Sequence, residues 1–138
     1  MAEEVRQVEH YAVSCKNKAG EGARVLGPLR DAGVNLIAFW GYPTKGGRAR
    51  LELIPENGAA LVAAAKQSKL KLSKKQTAFL IQGDDRPGVV ADALAKLAAA
   101  KINAEAVQGV AVGGGRFGVV LFLTPAAARK AVGVLGAL

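Results

Sequence analysis

The spacing of hydrophobic residues along positions 77–138 predicts a strand, a helix, two strands and a second helix. Apolar residues recur at helical spacing after Val89, whereas the flanking segments alternate or run apolar over the length of a strand. Thr124 and Pro125 are typical of a helix start. The predicted segments are a strand at 77–83, a turn at 84–88, a helix from Val89, a strand at 103–111, a glycine hairpin at 113–115, a strand at 116–123, and a helix from Pro125.

The first half of the chain shows the same order of patterns. Its predicted segments are strands at 9–15, 34–42 and 48–54, helices at 21–32 and 57–67, and a turn at 44–47. Leu70 and Leu72 alternate with polar residues, which predicts a short fourth strand at 69–73. Pro28 falls inside the first helix and removes an internal hydrogen bond, so we expect a kink or a later helix start there.

A shift of 68 residues aligns the two halves without a gap. Asn35 then falls on Asn103, and the segment Gly46-Gly47-Arg48 falls on Gly114-Gly115-Arg116. We therefore predict an α+β chain of two ferredoxin-like βαββαβ repeats, residues 1–73 and 74–138, each with an antiparallel sheet and both helices on one face. Leu138 corresponds to Leu70, so the second repeat lacks most of its fourth strand. Because that strand would lie beside strand 77–83, we expect 77–83 to be an exposed edge, or one covered by the connector or by another chain.

Composition adds a basic balance to this picture. The net charge is +8, and five lysines lie in the stretch 66–75, which we interpret as a solvated connector between the repeats. The single cysteine, Cys15, rules out an intramolecular disulfide and suits a reducing cytoplasm. The polar N-terminus does not resemble a signal peptide, and no apolar run is long enough to span a bilayer.

The side chains that enzymes commonly use are scarce. His10 is the only histidine and has no partner nearby in the sequence, and Cys15 alternates with core positions of a strand. The adjacent Asp84 and Asp85 are explained by turn formation, and the histidines and cysteines are too few for a transition-metal site. The spacing Gly113-x-Gly115-x-x-Gly118 matches a dinucleotide fingerprint, but it lies between two strands rather than between a strand and a helix. We therefore predict no catalytic residues, no metal and no cofactor.

The turn before the second repeat's first helix is the best candidate for a ligand site. A helix N-terminus offers unpaired N–H groups and partial positive charge to a carboxylate. Gly88 permits close approach to the backbone, and Asp85 is suited to accept hydrogen bonds from an ammonium group. These features suit a small zwitterion, although a plain turn with a helix start explains the same residues.

The segment Asp85-Arg86-Pro87-Gly88, followed at fixed spacing by Leu94, Leu97, Ile102 and Asn103, resembles the pattern of ACT domains, which are regulatory modules that bind amino acids. The resemblance implies domains paired through their second strands, with the effector between the first turn of one domain and the second strand of its neighbour. One implied site combines Asp85, Arg86, Pro87, Gly88 and Val89 with Asn35, Leu36, Ile37, Ala38 and Phe39. The other combines Asn17, Lys18, Ala19 and Gly20 with Asn103, Ala104, Glu105 and the following residues to Val107.

The two implied sites are not equal. Ala19 replaces the proline of the ACT pattern and Asn17 replaces its acid, so we expect the first turn to hold an ammonium less well than Asp85 does. The resemblance thus implies a non-catalytic sensor of a small ligand, most simply an amino acid. The single cysteine predicts a cytoplasmic protein, and the truncated second repeat with its exposed edge predicts self-association. Trp40 and Tyr42 either close over a ligand or cap the hairpin end.

Other functions remain open at this stage. A βαββαβ sheet also holds RNA in some proteins, but that mode stacks bases on aromatic residues. In the third-strand segments Arg48–Leu53 and Arg116–Leu121 the only aromatic residue is Phe117, which disfavours nucleic acid as a partner. A protein-interaction module without a small ligand is the stronger alternative. An enzyme is disfavoured, since Lys16-Asn17-Lys18 lacks the arginine that small phosphatases of this topology need.

Overall fold

The computed structural model describes residues 3–136, which form six strands and four helices. The elements are β1 (Glu4–Lys16), α1 (Glu21–Asp31), β2 (Leu36–Pro43), β3 (Arg48–Pro55), α2 (Gly58–Gln67), β4 (Gln76–Asp84), α3 (Val89–Ala99), β5 (Ala106–Gly113), β6 (Arg116–Phe122) and α4 (Pro125–Leu135). The α+β class predicted from the sequence is confirmed. No helix within residues 3–136 is long and apolar enough to cross a membrane.

The chain divides into two compact units. The first unit is residues 9–76, and the second unit is residues 1–8 together with 77–138. The long strand β1 therefore contributes its N-terminal part to the second unit and its C-terminal part to the first. The sequence placed no strand before residue 9 and assigned residues 1–8 to the first repeat.

In the first unit, β3 is the central strand, with β1 and β2 antiparallel on its two sides. Tyr11 pairs with Leu53, and Phe39 also pairs with Leu53. One face of these strands packs against α1 and α2, where Val25, Leu29 and Leu61 are almost fully buried. Burial of each such side chain stabilises the fold by about 1.5–3 kcal/mol.

In the second unit, β6 lies between β5 and β4, and all three are antiparallel. Strand β4 has β1 as its other neighbour, and Val5 of β1 packs on the core of the second unit. Glu3 adds ion pairs to Arg86 at 3.6 Å and to Lys96 at 3.9 Å. The expectation of an exposed edge at 77–83 is wrong, because β1 covers that edge; neither the connector nor a second chain is needed.

The predicted fourth strand at 69–73 is also wrong in detail. Residues 70–75 form no regular strand, although the segment runs beside β1. The Ser73 N–H donates to the Ala12 carbonyl at 2.8 Å, and the Ala12 N–H donates to Ser73 Oγ at 2.9 Å. Leu70 and Leu72 still pack on the first unit's core. The two hydrogen bonds between Ser73 and Ala12 therefore take the place of the predicted strand pairing.

The helix boundaries refine two further predictions. Helix α1 begins at Glu21 and contains Pro28, so the proline does not delay the helix start. Helix α3 begins at Val89, as predicted, and Pro87 lies in the turn before it. Asn35 and Asn103 precede β2 and β5 and are not part of those strands.

Candidate ligand-binding turns

Backbone hydrogen bonds fix both ends of the turn that opens α3. The Asp85 N–H donates to the Gly115 carbonyl at 2.9 Å, and the Asp92 N–H donates to the Gly88 carbonyl at 2.8 Å. Gly88 adopts φ +85°, a left-handed conformation that side-chain-bearing residues rarely adopt. A Cβ at Gly88 would meet only the end of the Arg86 side chain, at 3.9 Å. The backbone at this helix start is therefore open to a ligand.

The helices differ in how their N-termini are satisfied. In α2 the Asn57 side chain accepts from the Ala60 N–H at 3.1 Å, and in α4 Thr124 Oγ1 accepts from the Ala127 N–H at 3.2 Å. Among the described residues, no side chain at the N-cap position caps α1 or α3 in this way, because that position is a glycine in both. Helix N-terminal N–H groups without such a cap are the groups that bind an anion.

Charged side chains flank the α3 turn. Asp85 is exposed, and its carboxylate forms no hydrogen bond or ion pair with residues 3–136. Arg86 pairs with Asp92 at 2.7 Å and more loosely with Glu3. The hydrogen bond to Asp92 raises the pKa of Arg86. The acid of the turn is thus accessible to a cation, whereas the arginine is already held by two carboxylates.

The turn that opens α1 has the same backbone but different side chains. The Asn17 N–H donates to the Gly47 carbonyl at 2.9 Å, and Gly20 adopts φ +90°. Here, however, the buried Glu21 carboxylate accepts from the Lys16 N–H at 3.3 Å and from Arg24 Nε at 2.7 Å. The hydrogen bond from Arg24 lowers the pKa of Glu21. A carboxylate of the chain itself, held by the end of β1 and by Arg24, therefore lies at this turn.

Both predicted second-strand walls, residues 35–39 and 103–107, combine exposed and half-buried residues. Asn35 is exposed and its amide donates to Glu56 at 2.7 Å, and Phe39 is 41% exposed. Ala104 packs on the second unit's core, and the Glu105 N–H donates to the Phe122 carbonyl at 2.7 Å. Each predicted site combines a turn from one unit with a strand segment from the other, and these pairings stay predictions.

Sequence analysis missed a buried polar cluster in the first unit. His10 Nε2 lies 2.5 Å from Glu52 Oε1, while Tyr42 Oη and Arg50 Nε donate to Glu52 Oε2 at 2.6 and 2.9 Å. Burial would raise the pKa of Glu52, but hydrogen bonds from His10, Tyr42 and Arg50 lower it to about 2. His10 and Glu52 are 42 residues apart, and only the β1–β3 pairing brings them together. His10 is thus an interior strand residue with a carboxylate partner, contrary to expectation.

The remaining sequence candidates have simple structural roles. Cys15 is buried in the first unit's core, and the glycines at 113–115 form the β5–β6 hairpin with positive φ. Tyr42 is engaged by Glu52. Within residues 3–136, no group of three or more His, Cys, Asp or Glu side chains is placed to hold a metal ion.

Comparison with known proteins gives a match at the level of structure. No known family model and no curated protein sequence matches the chain. A solved protein from Bacteroides thetaiotaomicron superimposes with a TM-score of 0.81 at 20% identity, covering 96% of this chain and 88% of that one. The regulatory subunit of aspartate kinase from Thermus thermophilus gives 0.64 at 15% identity, covering 98% and 93%, and that from Thermus flavus gives 0.58 at 16%, covering 96% and 94%.

The chain has an ACT-type fold. The identities are low, so the likeness concerns the fold and not the ligand or the site. The resemblance to ACT domains seen in the sequence is confirmed at that level. The arrangement as two complete repeats stays a prediction, and so do the ligand-binding residues.

Proposed function

We propose that this protein is a non-catalytic regulatory module that binds an amino acid at the turn Asp85–Val89. The fold is that of proteins named as regulatory subunits of aspartate kinase. The buried single cysteine suits the reducing cytoplasm, which is the compartment we propose. A change in ligand occupancy would act by favouring one of two conformational or association states.

The observation that carries this proposal is the open, uncapped start of α3 beside the exposed Asp85. The ligand's carboxylate would accept hydrogen bonds from the N–H groups of the first helical turn, which lack a side-chain cap. Its ammonium group would face the Asp85 carboxylate, which has no partner among residues 3–136. Hydrogen bonds to charged groups contribute about 1.5–3 kcal/mol each, so two such contacts suffice for a ligand of this size.

The ACT resemblance supplies the second wall of this site. The resemblance implies that Asn35 to Phe39 contribute to the same site, and Phe39 is the exposed apolar residue among them. The corresponding site at Asn17–Gly20 with Asn103–Val107 would be weak, because the Glu21 carboxylate, held by the Lys16 N–H and Arg24, would repel the ligand's carboxylate there. We therefore propose one strong site per chain.

A second candidate function, protein interaction without a small ligand, is favoured by β5. This strand lies at an end of the strand order and carries no charged residue, with Val110 56% and Val112 76% exposed. Uncharged edge strands of this length readily pair with another strand. We propose that β5 pairs with its copy in a second chain, and that Val112→Lys converts the protein to a monomer in light scattering.

A thermal-shift screen against the twenty amino acids tests the main proposal. A ligand at about 100 times its Kd adds roughly 2.7 kcal/mol of stability, which a melting curve resolves. We expect one amino acid, or a chemically related group, to raise Tm, and Asp85→Ala to abolish the shift. Asp31→Ala, at an exposed acid near the end of α1, is the matched control. No shift with any amino acid would contradict the proposal and favour the interaction module.

A further inference from the structure

The first unit carries nearly all of the protein's net charge. Residues 9–76 contain 12 Lys and Arg against 5 Asp and Glu, whereas the second unit contains 7 against 6. The net charges are therefore +7 and +1. Charge spread over both units would serve solubility equally well. The concentration of cations in the first unit therefore needs another explanation.

Three of these cations lie on one end of one sheet face. Core residues of β1 and β3 point toward the helices, so the residues between them point to the opposite face. Lys16 pairs in register with Arg48, and Arg50 pairs with Ser14 and with Tyr42 of β2. We call the set Ser14, Lys16, Trp40, Tyr42, Arg48 and Arg50 the basic-aromatic face.

The basic-aromatic face is accessible, unlike the remainder of the same side of the sheet. Lys16 and Arg48 are exposed and Tyr42 is 40% exposed, while Ala12 and Ile54, farther along the strands, are buried. Neither Lys16 nor Arg48 forms an ion pair with a residue in 3–136; Arg48 Nη2 donates to Ser14 Oγ at 3.1 Å. Their charges are available to an external anion.

One of the aromatic side chains, Tyr42, is held in place by a buried carboxylate. The buried Glu52 carboxylate accepts from Tyr42 and Arg50, and His10 contacts its other oxygen. Trp40 pairs in register with Glu52 and so lies next to Tyr42 on the same face. Two neighbouring aromatic residues flanked by cations combine the stacking surface and the positive charge that single-stranded nucleic acids bind.

The second unit shows that the fold does not require these residue types. At positions 68 residues later, Lys16, Trp40, Tyr42 and Arg50 are replaced by Asp84, Gln108, Val110 and Gly118. Only Arg48 is matched by an arginine, Arg116. The same strand positions are thus built without the aromatic pair and without the cation cluster, so a structural role does not explain them.

From this placement we infer that the basic-aromatic face binds single-stranded nucleic acid, with bases stacked on Trp40 and Tyr42 and phosphates on Lys16 and Arg48. The aromatic residues lie on β2 and the cations on β1 and β3, so no single strand carries the pattern, and the sequence alone disfavoured this partner. The inference concerns a different surface from the α3 turn and does not depend on the amino-acid proposal.

The intrinsic fluorescence of the wild-type protein provides the first test. Trp40 is the only tryptophan of the chain. Titration with twelve-nucleotide dT or rU should quench it, because a base stacks on the indole, whereas heparin, a polyanion without bases, should bind without quenching. The two oligonucleotides distinguish DNA from RNA. Binding of oligonucleotide that leaves Trp40 fluorescence unchanged, or no binding at about 100 µM protein in low salt, would overturn the inference.

Matched variants provide the second test, with fluorescein-labelled oligonucleotide and anisotropy as the readout. Trp40→Gln/Tyr42→Val introduces the residues of positions 108 and 110 and should weaken binding roughly 5- to 150-fold for each base unstacked. Lys16→Gln/Arg48→Gln should weaken binding and reduce the slope of log affinity against log salt by about 1.4, since each phosphate contact on a single strand contributes about 0.7. Arg6→Gln/Arg129→Gln removes the same charge from exposed positions of the second unit and should change affinity little. Equal losses in the cation variant and this control would show general charge attraction and overturn the inference.

Discussion

The turns that open α1 and α3 have the same backbone conformation and differ in their side chains. Each begins with a strand-to-hairpin hydrogen bond of 2.9 Å, from Asn17 to Gly47 and from Asp85 to Gly115, and each has a left-handed glycine before the helix. At the next position the first turn has Glu21 and the second has Val89. Glu21 turns its carboxylate to the Lys16 N–H, whereas Val89 packs into the core and leaves the helix start open. The two helix starts therefore share a backbone conformation, and only the first has a carboxylate of the chain beside it.

The sheet faces of the two units differ in the same sense. Glu52 of the first unit contacts three polar side chains, whereas the residue 68 positions later is Val120, which is buried and pairs in register with Leu80 and Gln108. His10 likewise has Ala78 as its counterpart. The first unit thus buries a polar cluster around an ionised carboxylate, and the second unit has apolar residues at the equivalent positions. The two units therefore share a backbone arrangement, and they differ in chemistry because polar residues of one stand where the other has apolar residues.

The largest expected effect is the response of the first unit's cluster to acid. The pKa of Glu52 is lowered from 4.5 to about 2 in the folded protein, so its contribution is full above pH 5 and is lost as pH falls toward 2. The lowering corresponds to about 3 kcal/mol of unfolding free energy. Urea denaturation from pH 6 to pH 2.5 should show that loss in the wild type and a much flatter profile in Glu52→Gln. Glu56→Gln, at an exposed acid four residues away, should keep the wild-type slope; equal flattening in both variants would contradict the assignment to Glu52.

Exchanging the residues that distinguish the turns should transfer their behaviour. Val89→Glu/Asp92→Arg places the Glu21–Arg24 pair at the start of α3, and we expect about a 100-fold loss of amino-acid affinity, because the introduced negative charge would repel the ligand's carboxylate. Calorimetry on a variant of verified Tm measures the loss.

The reciprocal variant, Glu21→Val/Arg24→Asp, supplies the control. It should leave the affinity of the first ligand unchanged and add a second, weaker binding event, since Asn17 stands where Asp85 does. An unchanged stoichiometry with an unchanged first affinity would show that Glu21 is not what closes the first turn.

The charge of Asp85 should account for a smaller difference in ligand affinity between the two turns. Asp85→Asn creates the residue type of position 17 and should weaken amino-acid binding about tenfold, the effect of replacing a charged hydrogen-bond acceptor with a neutral one. The loss should disappear for a ligand analogue without the ammonium group, such as the matching carboxylic acid. A uniform loss for both ligands would place the ammonium group away from Asp85.

The helices, the hairpins and the α+β class follow from local patterns, which is why they could be predicted from the sequence. The glycine hairpin at 113–115 and the capped start at Thr124 are set by residues next to each other in the chain. The N-terminal part of β1 was missed because residues 3–8 are mostly polar and their strand neighbour, β4, lies some 70 residues away. A strand that serves two units has no local signal at the point where it passes from one to the other.

The candidate sites were predictable to the same extent. The turn Asp85–Val89 has a contiguous motif, so its residues could be named in advance. The His10–Glu52 contact depends on the register of β1 and β3 across 42 residues, and nothing near either residue announces it. The basic-aromatic face likewise requires three strands to be placed side by side before its members appear as one set.

The smallest expected effect concerns the helices whose starts are alike in both units. Asn57 caps α2 and Thr124 caps α4 through their side chains, so Asn57→Ala and Thr124→Ala should each lower the free energy of unfolding by about 1 kcal/mol. Both changes should leave amino-acid affinity unaltered, because α2 and α4 belong to neither ligand turn. Urea denaturation and calorimetry on the same preparations measure the two quantities. If either capping variant weakened ligand binding as much as Asp85→Asn does, the open start of α3 would not be the site, and the difference between capped and uncapped helices would have no bearing on recognition.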